Sequence, residues 1–308
     1  MTATIRTTMS TKKRLVVIVG ATGSGKTDLS IRVAQHYSAP IISTDSRQVY
    51  KGLPIGTAQP SIEQLQLVEH HFIASHELTD NFNCGEYETQ ALARLDELFT
   101  KCDVVVAVGG SGLYVKALCD GMDDLPQADE KLRTKLTEKL HSEGVAALAE
   151  QLRELDPEYY EIVDKSNPAR VQRALEVCLQ TGIPYSQQRL GVKKKRPFEI
   201  IKIGVDMPRE LLYERINRRV DIMMADGLEQ EARAVYHLRH LNSLQTVGYK
   251  EMFDYFDGRI SRDEAVELIK RNSRRYAKRQ LTWFRRDEQI RWFSPEDFES
   301  IVRVIDEE

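Results

Sequence analysis

An eight-residue glycine-rich stretch near the N-terminus restricts the possible folds of this chain more than any other feature. Residues 20–27 read Gly-Ala-Thr-Gly-Ser-Gly-Lys-Thr and match the pattern G-x-x-x-x-G-K-[ST]. The apolar run 15–19 before this phosphate loop predicts a strand, and residues 28–34 after it predict a helix. A strand that turns through glycines into a helix is the context in which the pattern binds phosphate.

The phosphate loop supplies the groups that a polyphosphate requires. Its glycines let the backbone turn tightly and point N–H groups at an anion, and the helix N-terminus adds partial positive charge. Lys26 adds a full charge, and Thr27 offers a hydroxyl to Mg²⁺. The alternative is a glycine-rich turn that binds nothing. We predict a polyphosphate site made of Gly20, Ala21, Thr22, Gly23, Ser24, Gly25, Lys26 and Thr27.

A polar cluster follows the short strand predicted at residues 41–43, and it reads Thr44-Asp45-Ser46-Arg47-Gln48-Val49-Tyr50. Ligands of open α/β sheets bind at the carboxyl ends of the strands, which places Asp45 near the phosphate loop. An aspartate at such a position fits a helix N-cap and a catalytic carboxylate about equally well. The residues alone leave both interpretations open.

A second glycine-rich turn, Gly109-Gly110-Ser111-Gly112, follows the most apolar segment of the chain, residues 103–108. This segment is β-branched on both faces, as a central parallel strand should be. The second glycine turn is therefore expected at the same edge of the sheet as the phosphate loop. The pattern predicts an α/β fold with a P-loop NTPase-like parallel sheet core.

Residues 123–196 show helical patterns and no strand, after which residues 199–205 predict a strand again. Asp156-Pro157 and Asn167-Pro168 each place a capping residue before a proline, and Gly182 ends the second of these helices. We predict an all-helical domain at 122–198 inserted into a core made of 14–121 and 199–308, after a disordered tail at 1–13.

Two later helices carry arginine and lysine residues. The helix predicted at residues 208–225 carries Arg215, Arg218 and Arg219. These arginines either clamp phosphates or form a solvated helix face, and the sequence alone slightly favours the solvated face. In the helix that Ser261 caps, eight basic residues share one half of the circumference without an acidic residue among them. Such a one-signed surface is typical of polyanion binding, although pairing with acids elsewhere in the fold is the alternative. The eight are Lys270, Arg271, Arg274, Arg275, Lys278, Arg279, Arg285 and Arg286.

Composition excludes several other classes of protein. The net charge of −3 means that any nucleic-acid surface is local. The four scattered cysteines and the adjacent histidines 70 and 71 lack the spacing of a metal site, and the cysteines fit a reducing cytoplasm. No apolar run approaches the roughly 20 residues of a membrane helix. We expect a cytoplasmic protein that does not bind a membrane and is a monomer.

From the residues alone two classes of enzyme remain. A nucleotide or metabolite kinase would use the phosphate loop for a nucleoside triphosphate and the inserted domain as a lid. A transferase acting on nucleic acid would use the helix that Ser261 caps, called here the basic helix, to hold its polymer. The kinase interpretation leaves the basic helix without a role.

Five segments together resemble the tRNA dimethylallyltransferases (tRNA isopentenyltransferases). These are the phosphate loop, Asp45 to Tyr50, Ile55 to Ala58, Gly109 to Tyr114 and Ala277 to Trp283. The resemblance runs in order from about residue 15 to residue 285. It implies transfer of a dimethylallyl group from dimethylallyl diphosphate to N6 of adenosine 37 in tRNA, with release of pyrophosphate. An adenylate isopentenyltransferase acting on free nucleotides remains the alternative within this group. The zinc finger of some eukaryotic members is absent, which indicates the bacterial type.

The resemblance also implies roles for individual residues. Asp45 would be the catalytic base, with Lys26, Thr27 and Mg²⁺ on Thr27 stabilising the leaving group, and Arg219 would contact the diphosphate. Ser111 stands where the family usually has threonine, so the hydroxyl is kept. The residues implied to contact tRNA are Asp45, Ser46, Arg47, Gln48, Ser111, Arg133, Ala169, Arg170, Val171, Gln172, Arg173, Gln245, Gly248, Tyr249, Lys250, Arg274, Arg275, Lys278, Arg279, Gln280, Trp283 and Arg285.

Overall fold

The computed structural model describes residues 12–307, and within them six strands form one sheet in which every pairing is parallel. The strands are β1 (Arg14–Gly20), β2 (Ile41–Ser43), β3 (His70–His71), β4 (Val104–Gly109), β5 (Glu199–Val205) and β6 (Arg291–Phe293). Their order across the sheet is β3-β2-β4-β1-β5-β6. The predicted α/β fold with a parallel sheet is confirmed.

The helices of the described chain are α1 (Lys26–His36), α2 (Ile62–Leu67), α3 (Cys84–Phe99), α4 (Gly112–Asp120), α5 (Glu130–Leu155), α6 (Pro157–Ile162), α7 (Pro168–Thr181), α8 (Tyr185–Gln188), α9 (Arg209–Ala225), α10 (Leu228–Ala234), α11 (Tyr249–Phe256), α12 (Arg262–Phe284) and α13 (Phe298–Glu307). None of them is long and apolar enough to cross a membrane.

Strand β1 lies at the centre of the sheet because both of its faces are apolar. Leu15, Val17 and Val19 belong to one buried core, whereas Val16 and Ile18 belong to the core on the opposite face. The strand pairs with β4 on one side and with β5 on the other. Since all strands run in the same direction, β1, β2, β4 and β5 deliver their C-terminal residues to one edge of the sheet.

Residues Asp120–Lys194 form a compact unit of their own, and the rest of the described chain forms the other. This helical unit contains α5 to α8 around a core that includes Leu148, Leu152, Val171 and Leu175. Helix α5 is interrupted at Gly144, whose φ of 81° is left-handed.

The predicted caps of the helical unit are confirmed. The side chain of Asp156 accepts the N–H of Tyr159, and that of Asn167 accepts the N–H of Arg170. Gly182 ends α7 with a φ of 71°. Short polar side chains and a left-handed glycine at these points satisfy backbone groups that a helix end leaves unpaired.

The structure departs from the sequence-based expectations at three places. Tyr249, which the resemblance implies as a tRNA contact, begins α11 and is fully buried. Strand β6 and helix α13 were not anticipated. Of the tail predicted at residues 1–13, residues 1–11 lie outside the described chain, and Lys13 pairs with Asp103 at 2.7 Å.

Candidate active site

The phosphate loop joins β1 to α1 at the carboxyl edge of the sheet. Gly23 and Gly25 adopt φ angles of 83° and 88°, in the left-handed region that favours glycine. The Lys26 ammonium reaches back across the loop and donates to the carbonyl of Ala21 at 2.9 Å. The buried Ser24 hydroxyl makes no hydrogen bond within the described residues. The loop therefore has the shape of an anion cradle and retains unused donor capacity.

Lys26 lies in an environment that disfavours its charge. Burial and, to a smaller extent, the charge of Arg219 lower the pKa of Lys26 to about 8, although the charge of Asp45 opposes the shift. Below that pH the ammonium is charged, and no acidic side chain of residues 12–307 lies at hydrogen-bonding distance from it. A bound anion would supply the missing counter-charge.

Helix α9 directs a second cation at the phosphate loop. Arg219 donates through Nη1 to the Thr22 hydroxyl at 3.3 Å, and burial, followed by the charge of Arg215, lowers the pKa of Arg219. Arg215 and Arg219 both line the cavity above the loop, whereas Arg218 is exposed and does not. Of the two alternatives for these arginines, the solvated face therefore holds for Arg218, whereas Arg219 lies beside the phosphate loop.

Asp45 caps a turn rather than a helix. Its Oδ1 accepts the backbone N–H groups of Arg47 at 2.8 Å and Gln48 at 3.3 Å, and the residues that follow form a turn. Its Oδ2 makes no hydrogen bond to any described residue, and the side chain lines the same cavity as the phosphate loop. The helix N-cap interpretation is therefore wrong, and the catalytic carboxylate stays a prediction, with Oδ2 as the oxygen that remains to accept a proton.

Ser111 joins the second glycine turn (Gly109–Gly112) to the turn at Asp45. The Ser111 hydroxyl accepts the N–H of Ser46 at 3.0 Å and donates to its hydroxyl at 3.1 Å. Tyr276 of α12 lies near both residues, since burial and the charge of Asp45 raise the pKa of Tyr276 to about 12 and Ser111 opposes the shift. Ser111 thus helps to fix the position of the Asp45 turn.

The loop 55–58 forms another wall and is held by an acid that the sequence analysis did not single out. Glu231 accepts the N–H groups of Ile55 and Gly56 at 2.8 Å each, and Tyr249 donates its hydroxyl to the same carboxylate at 2.5 Å. The Gln48 amide donates to the carbonyl of Ala58 at 2.7 Å. These contacts attach the loop to α10, α11 and the Asp45 turn.

The walls surround a cavity of about 370 Å³ whose lining combines charged and apolar side chains. Its charged side chains include Lys26, Asp45, Arg215 and Arg219, and Thr27 adds a hydroxyl. Its larger apolar side chains are Ile73, Val108, Ile216, Val220, Met223, Leu228, Val247 and Ile269. A ligand that combines an anionic head with a short hydrocarbon tail matches this distribution.

The donor set fits Mg²⁺ bound mainly through substrate oxygens. The Thr27 side chain lines the cavity and its hydroxyl makes no hydrogen bond to another described residue. Within residues 12–307 no group of three or more His, Cys, Asp or Glu side chains could hold a metal by itself. Mg²⁺ commonly takes one or two protein oxygens and completes its shell with phosphate oxygens and water.

Helix α12 divides its basic residues into two groups. Lys270 pairs with Asp221 at 2.8 Å, Arg285 pairs with Asp206 at 2.6 Å, and Arg274 donates to the amide of Asn217. Pairing with acids elsewhere in the fold is therefore correct for Lys270 and Arg285, whereas Arg274 is held by an amide. The basic face, defined as Arg271, Arg275, Lys278 and Arg279, is exposed and forms no ion pair with any residue of the described chain.

The helical unit presents its predicted contact residues in different ways. Ala169 and Arg170 are exposed, and Gln172 donates to the Thr137 hydroxyl at 2.9 Å. Arg133 donates through Nε and Nη2 to Glu176, which is 1% exposed, and Arg173 contacts the same carboxylate at 3.4 Å. Arg133 and Arg173 remain partly exposed, so Glu176 orients two arginines that can still reach a phosphate.

Three residues that the resemblance implied as tRNA contacts have side chains directed into the protein. Val171 packs in the core of the helical unit, and Tyr249 is buried against Glu231. Gln280 is 6% exposed and hydrogen-bonds two loops of the site.

Other implied tRNA contacts do reach the surface or the cavity. Gln245 and Lys250 are exposed, Trp283 is 39% exposed, and Gly248 lines the cavity. A list of motif positions cannot separate supporting side chains from surface ones, because burial depends on the packed helices.

Comparison with protein families finds one model that matches most of the chain. The family described as IPP transferase matches residues 48–287. Among curated relatives, tRNA dimethylallyltransferase 1 of Bacteroides fragilis is 52% identical over 295 residues, covering 96% of this chain and 98% of that protein. The tRNA dimethylallyltransferase of Cytophaga hutchinsonii is 48% identical over 294 residues, covering 96% and 97%.

Solved structures with the same fold carry related names. The tRNA isopentenylpyrophosphate transferase of Bacillus halodurans is 38% identical with a TM-score of 0.69, covering 96% of this chain and 98% of that one. A eukaryotic dimethylallyltransferase acting on tRNA is 25% identical with a TM-score of 0.79, covering 96% and 77%.

Proposed function

The chain belongs to the IPP transferase family, and on that premise we propose that it transfers a dimethylallyl group from dimethylallyl diphosphate to N6 of adenosine 37 in tRNA. Pyrophosphate is the second product. The reaction breaks the bond between C1 of the dimethylallyl group and the diphosphate oxygen, and it forms a bond from C1 to N6.

The observation that carries the proposal is the distribution of side chains along α9. Arg215, Arg219 and Met223 follow one another at intervals of four residues and share one helix face, with Ile216 and Val220 beside them. The face is cationic next to the phosphate loop and apolar one turn further on. A diphosphate with a five-carbon tail fits this sequence of groups, whereas the adenosine of a nucleoside triphosphate would place polar nitrogens against it.

The phosphate loop would stabilise the leaving group. The bond electrons pass to a diphosphate oxygen, so negative charge develops there, and preorganised N–H groups and cations lower the energy of that charge. Lys26 and Arg219 both lie in partly buried positions near Thr22, where their charges are weakly screened. Mg²⁺ held on Thr27 would supply further neutralisation of the diphosphate.

Asp45 would accept the proton that N6 loses as it attacks. Asp45 lines the cavity, and its Oδ2 has no hydrogen bond to a described residue while Oδ1 is held by the N–H of Arg47. Because adenosine 37 is normally stacked in the anticodon loop, its base must leave the stack to reach this carboxylate. The Asp45 turn would therefore lie against the tRNA, together with Ser46 and Gln48.

The tRNA would bind mainly through phosphate contacts on two surfaces. One is the basic face of α12 with the exposed Lys250, and the other is the helical unit with Arg133, Arg170 and Arg173. Arginine and lysine contacts to phosphates supply most of the affinity of such interfaces and make it depend on salt. A net charge of −3 overall is compatible with this, because the basic residues are concentrated locally.

A labelling experiment tests the proposal directly. The protein is incubated with Mg²⁺ and radiolabelled dimethylallyl diphosphate in the presence of tRNA, AMP or ADP. Label in tRNA, located at position 37 by nuclease mapping and abolished when adenosine 37 is replaced by guanosine, is the expected result. Label in AMP or ADP would contradict the tRNA specificity, and phosphate transfer from ATP with no prenyl transfer would contradict the reaction itself.

A further inference from the structure

Gln280 occupies a buried position on the helix that carries the basic face. Its side chain is 6% exposed, although its neighbours Lys278 and Arg279 project into solvent. A buried amide needs partners for both its oxygen and its nitrogen, since an unsatisfied polar group loses its hydrogen bonds to water. The two partners of Gln280 belong to two different loops of the active site.

One end of the amide holds the phosphate loop. The backbone N–H of Thr22 donates to Gln280 Oε1 at 2.8 Å. The hydroxyl of the same Thr22 accepts from Arg219 at 3.3 Å. Gln280 therefore fixes the residue through which the phosphate loop meets its arginine.

The other end of the amide holds the second glycine turn. Gln280 Nε2 donates to the carbonyl of Gly110 at 2.9 Å. The next residue, Ser111, binds the backbone N–H of Ser46 at 3.0 Å and so supports the Asp45 turn. Hydrogen bonds therefore connect the phosphate loop, where the leaving group would bind, through Gln280 to the Asp45 turn, which would accept the proton.

Two glycines of the second glycine turn lie directly against side chains of α12. A Cβ on Gly110 would overlap Gln280 Nε2, and a Cβ on Gly112 would overlap the Trp283 indole, one turn further along α12. Gly110 and Gly112 thus leave space that side chains of α12 occupy. In this packed position the Gln280 side chain is directed into the protein and not toward the surface that RNA would meet.

We propose that Gln280 is a positioning residue that holds the phosphate loop and the Asp45 turn at the separation the transfer requires. The inference rests on the proposed function, because it assigns the two loops to the leaving group and to the acceptor. On this inference Gln280 does not contact tRNA but acts as a strut, meaning a side chain whose two hydrogen bonds connect the phosphate loop to the second glycine turn that supports Asp45. Loss of the strut lowers kcat and leaves the affinity for tRNA unchanged.

The first variant is Gln280→Met, which keeps the volume of the side chain and removes both hydrogen bonds. We expect kcat for prenyl transfer to fall about tenfold or more while the Kd for tRNA stays within about twofold. Gln230→Met, on an exposed glutamine outside the site, is the matched control and should change neither kcat nor the Kd for tRNA. A tenfold loss of tRNA affinity in Gln280→Met at unchanged kcat would assign Gln280 to RNA contact and overturn the proposal.

The second variant, Gln280→Glu, gives a signature that general destabilisation cannot produce. A neutral carboxylic acid has one acceptor and one donor and can replace the amide, whereas the carboxylate repels the carbonyl of Gly110. Burial raises the pKa of such a carboxyl, so activity relative to the wild type should recover as the pH falls from about 8 to about 6. Gln230→Glu, on an exposed side chain, is the matched control and should show no recovery. A pH-independent ratio for Gln280→Glu, or wild-type kcat in Gln280→Met, would disprove the strut.

A separate measurement distinguishes failure of the strut from failure of the proposed function. Inorganic pyrophosphate with Mg²⁺ is titrated into the wild type and Gln280→Met by calorimetry. Because Thr22 loses its anchor, we expect the Kd for pyrophosphate to rise about fivefold or more in the variant. If the wild type transfers no prenyl group, the proposed function fails and this comparison still tests the anchor. Equal pyrophosphate affinity in the two proteins would contradict it.

Discussion

Asp45 Oδ1 accepts the backbone N–H of Arg47 at 2.8 Å, and this single contact allows one carboxylate to have two roles. The bond holds the turn in place, and it leaves Oδ2 without a hydrogen bond to any described residue on a residue that lines the cavity. A catalytic base needs both a fixed position and an uncommitted oxygen, and the turn geometry provides both.

The two roles of Asp45 can be separated by substitution. In Asp45→Asn the amide oxygen would still accept the N–H of Arg47, but the side chain could not accept a proton. This variant should therefore keep the fold of the turn and lower kcat by roughly 10² to 10⁴. Asp45→Ala should lose both roles. For both variants we expect tRNA affinity within a few fold of the wild type, measured by filter binding. Near-normal turnover of Asp45→Asn would remove the base role.

The basic face should govern how tRNA binding depends on salt. Replacing Arg275, Lys278 and Arg279 together by glutamine should reduce the slope of log K against log[salt] by about two to three units, as each lost phosphate contact removes roughly 0.7 to 0.9. The double variant Lys270→Gln/Arg285→Gln is the control, since those cations already pair with Asp221 and Asp206. An unchanged slope in the triple variant would exclude the basic face as the tRNA surface.

Diphosphate binding should weaken at alkaline pH because Lys26 must carry its charge to bind an anion. Burial sets the pKa of Lys26 at about 8 in the free protein, below its ordinary value. A bound diphosphate favours the charged form, so the Kd for dimethylallyl diphosphate should be flat below about pH 8. It should then rise about tenfold per pH unit above that. Calorimetry across this range measures it, and Lys26→Met should bind weakly with no such break. A break that persists in Lys26→Met would assign the titration to another group.

Glu176 should contribute more to stability than an exposed acid on the same unit. Its carboxylate is 1% exposed and receives Arg133 and Arg173, so Glu176→Ala leaves two cations without their partner. We expect a loss of about 2 kcal/mol in the local stability of α7, read from hydrogen exchange. Glu150→Ala, which breaks an exposed pair with Arg153, is the matched control and should cost about 0.5 kcal/mol or less. Equal exchange rates in both variants would show that Glu176 does not organise the unit.

Much of the site was predictable from sequence because local rules apply to it. The glycine pattern of residues 20–27 requires left-handed turns at Gly23 and Gly25, and those turns are present. Parallel strands bring their carboxyl ends together, which is why Asp45 and the second glycine turn could be placed beside the phosphate loop. The caps Asp156 and Asn167 likewise depend on residues three positions apart.

Other contacts were not predictable because their partners are far apart in the chain. Glu231 holds the loop at Ile55 and Gly56, and it lies 175 residues from Gly56 with no periodicity or motif to mark it. The same holds for Gln280, which meets Thr22 across 258 residues. The pairing of Lys270 and Arg285 was not predictable either, because their acids, Asp221 in α9 and Asp206, come from distant segments of the chain.

The sequence by itself determined the anion cradle, the parallel sheet that positions it and the polarity of α12, because each follows from residue order within a few turns. Only the tertiary structure decided which side chains face the cavity. It buried Tyr249 and Gln280 as supports, divided the basic residues into paired and exposed ones, and placed an apolar wall beside Arg219. The physical reason is that burial and pairing are properties of packed surfaces, which separate segments form together.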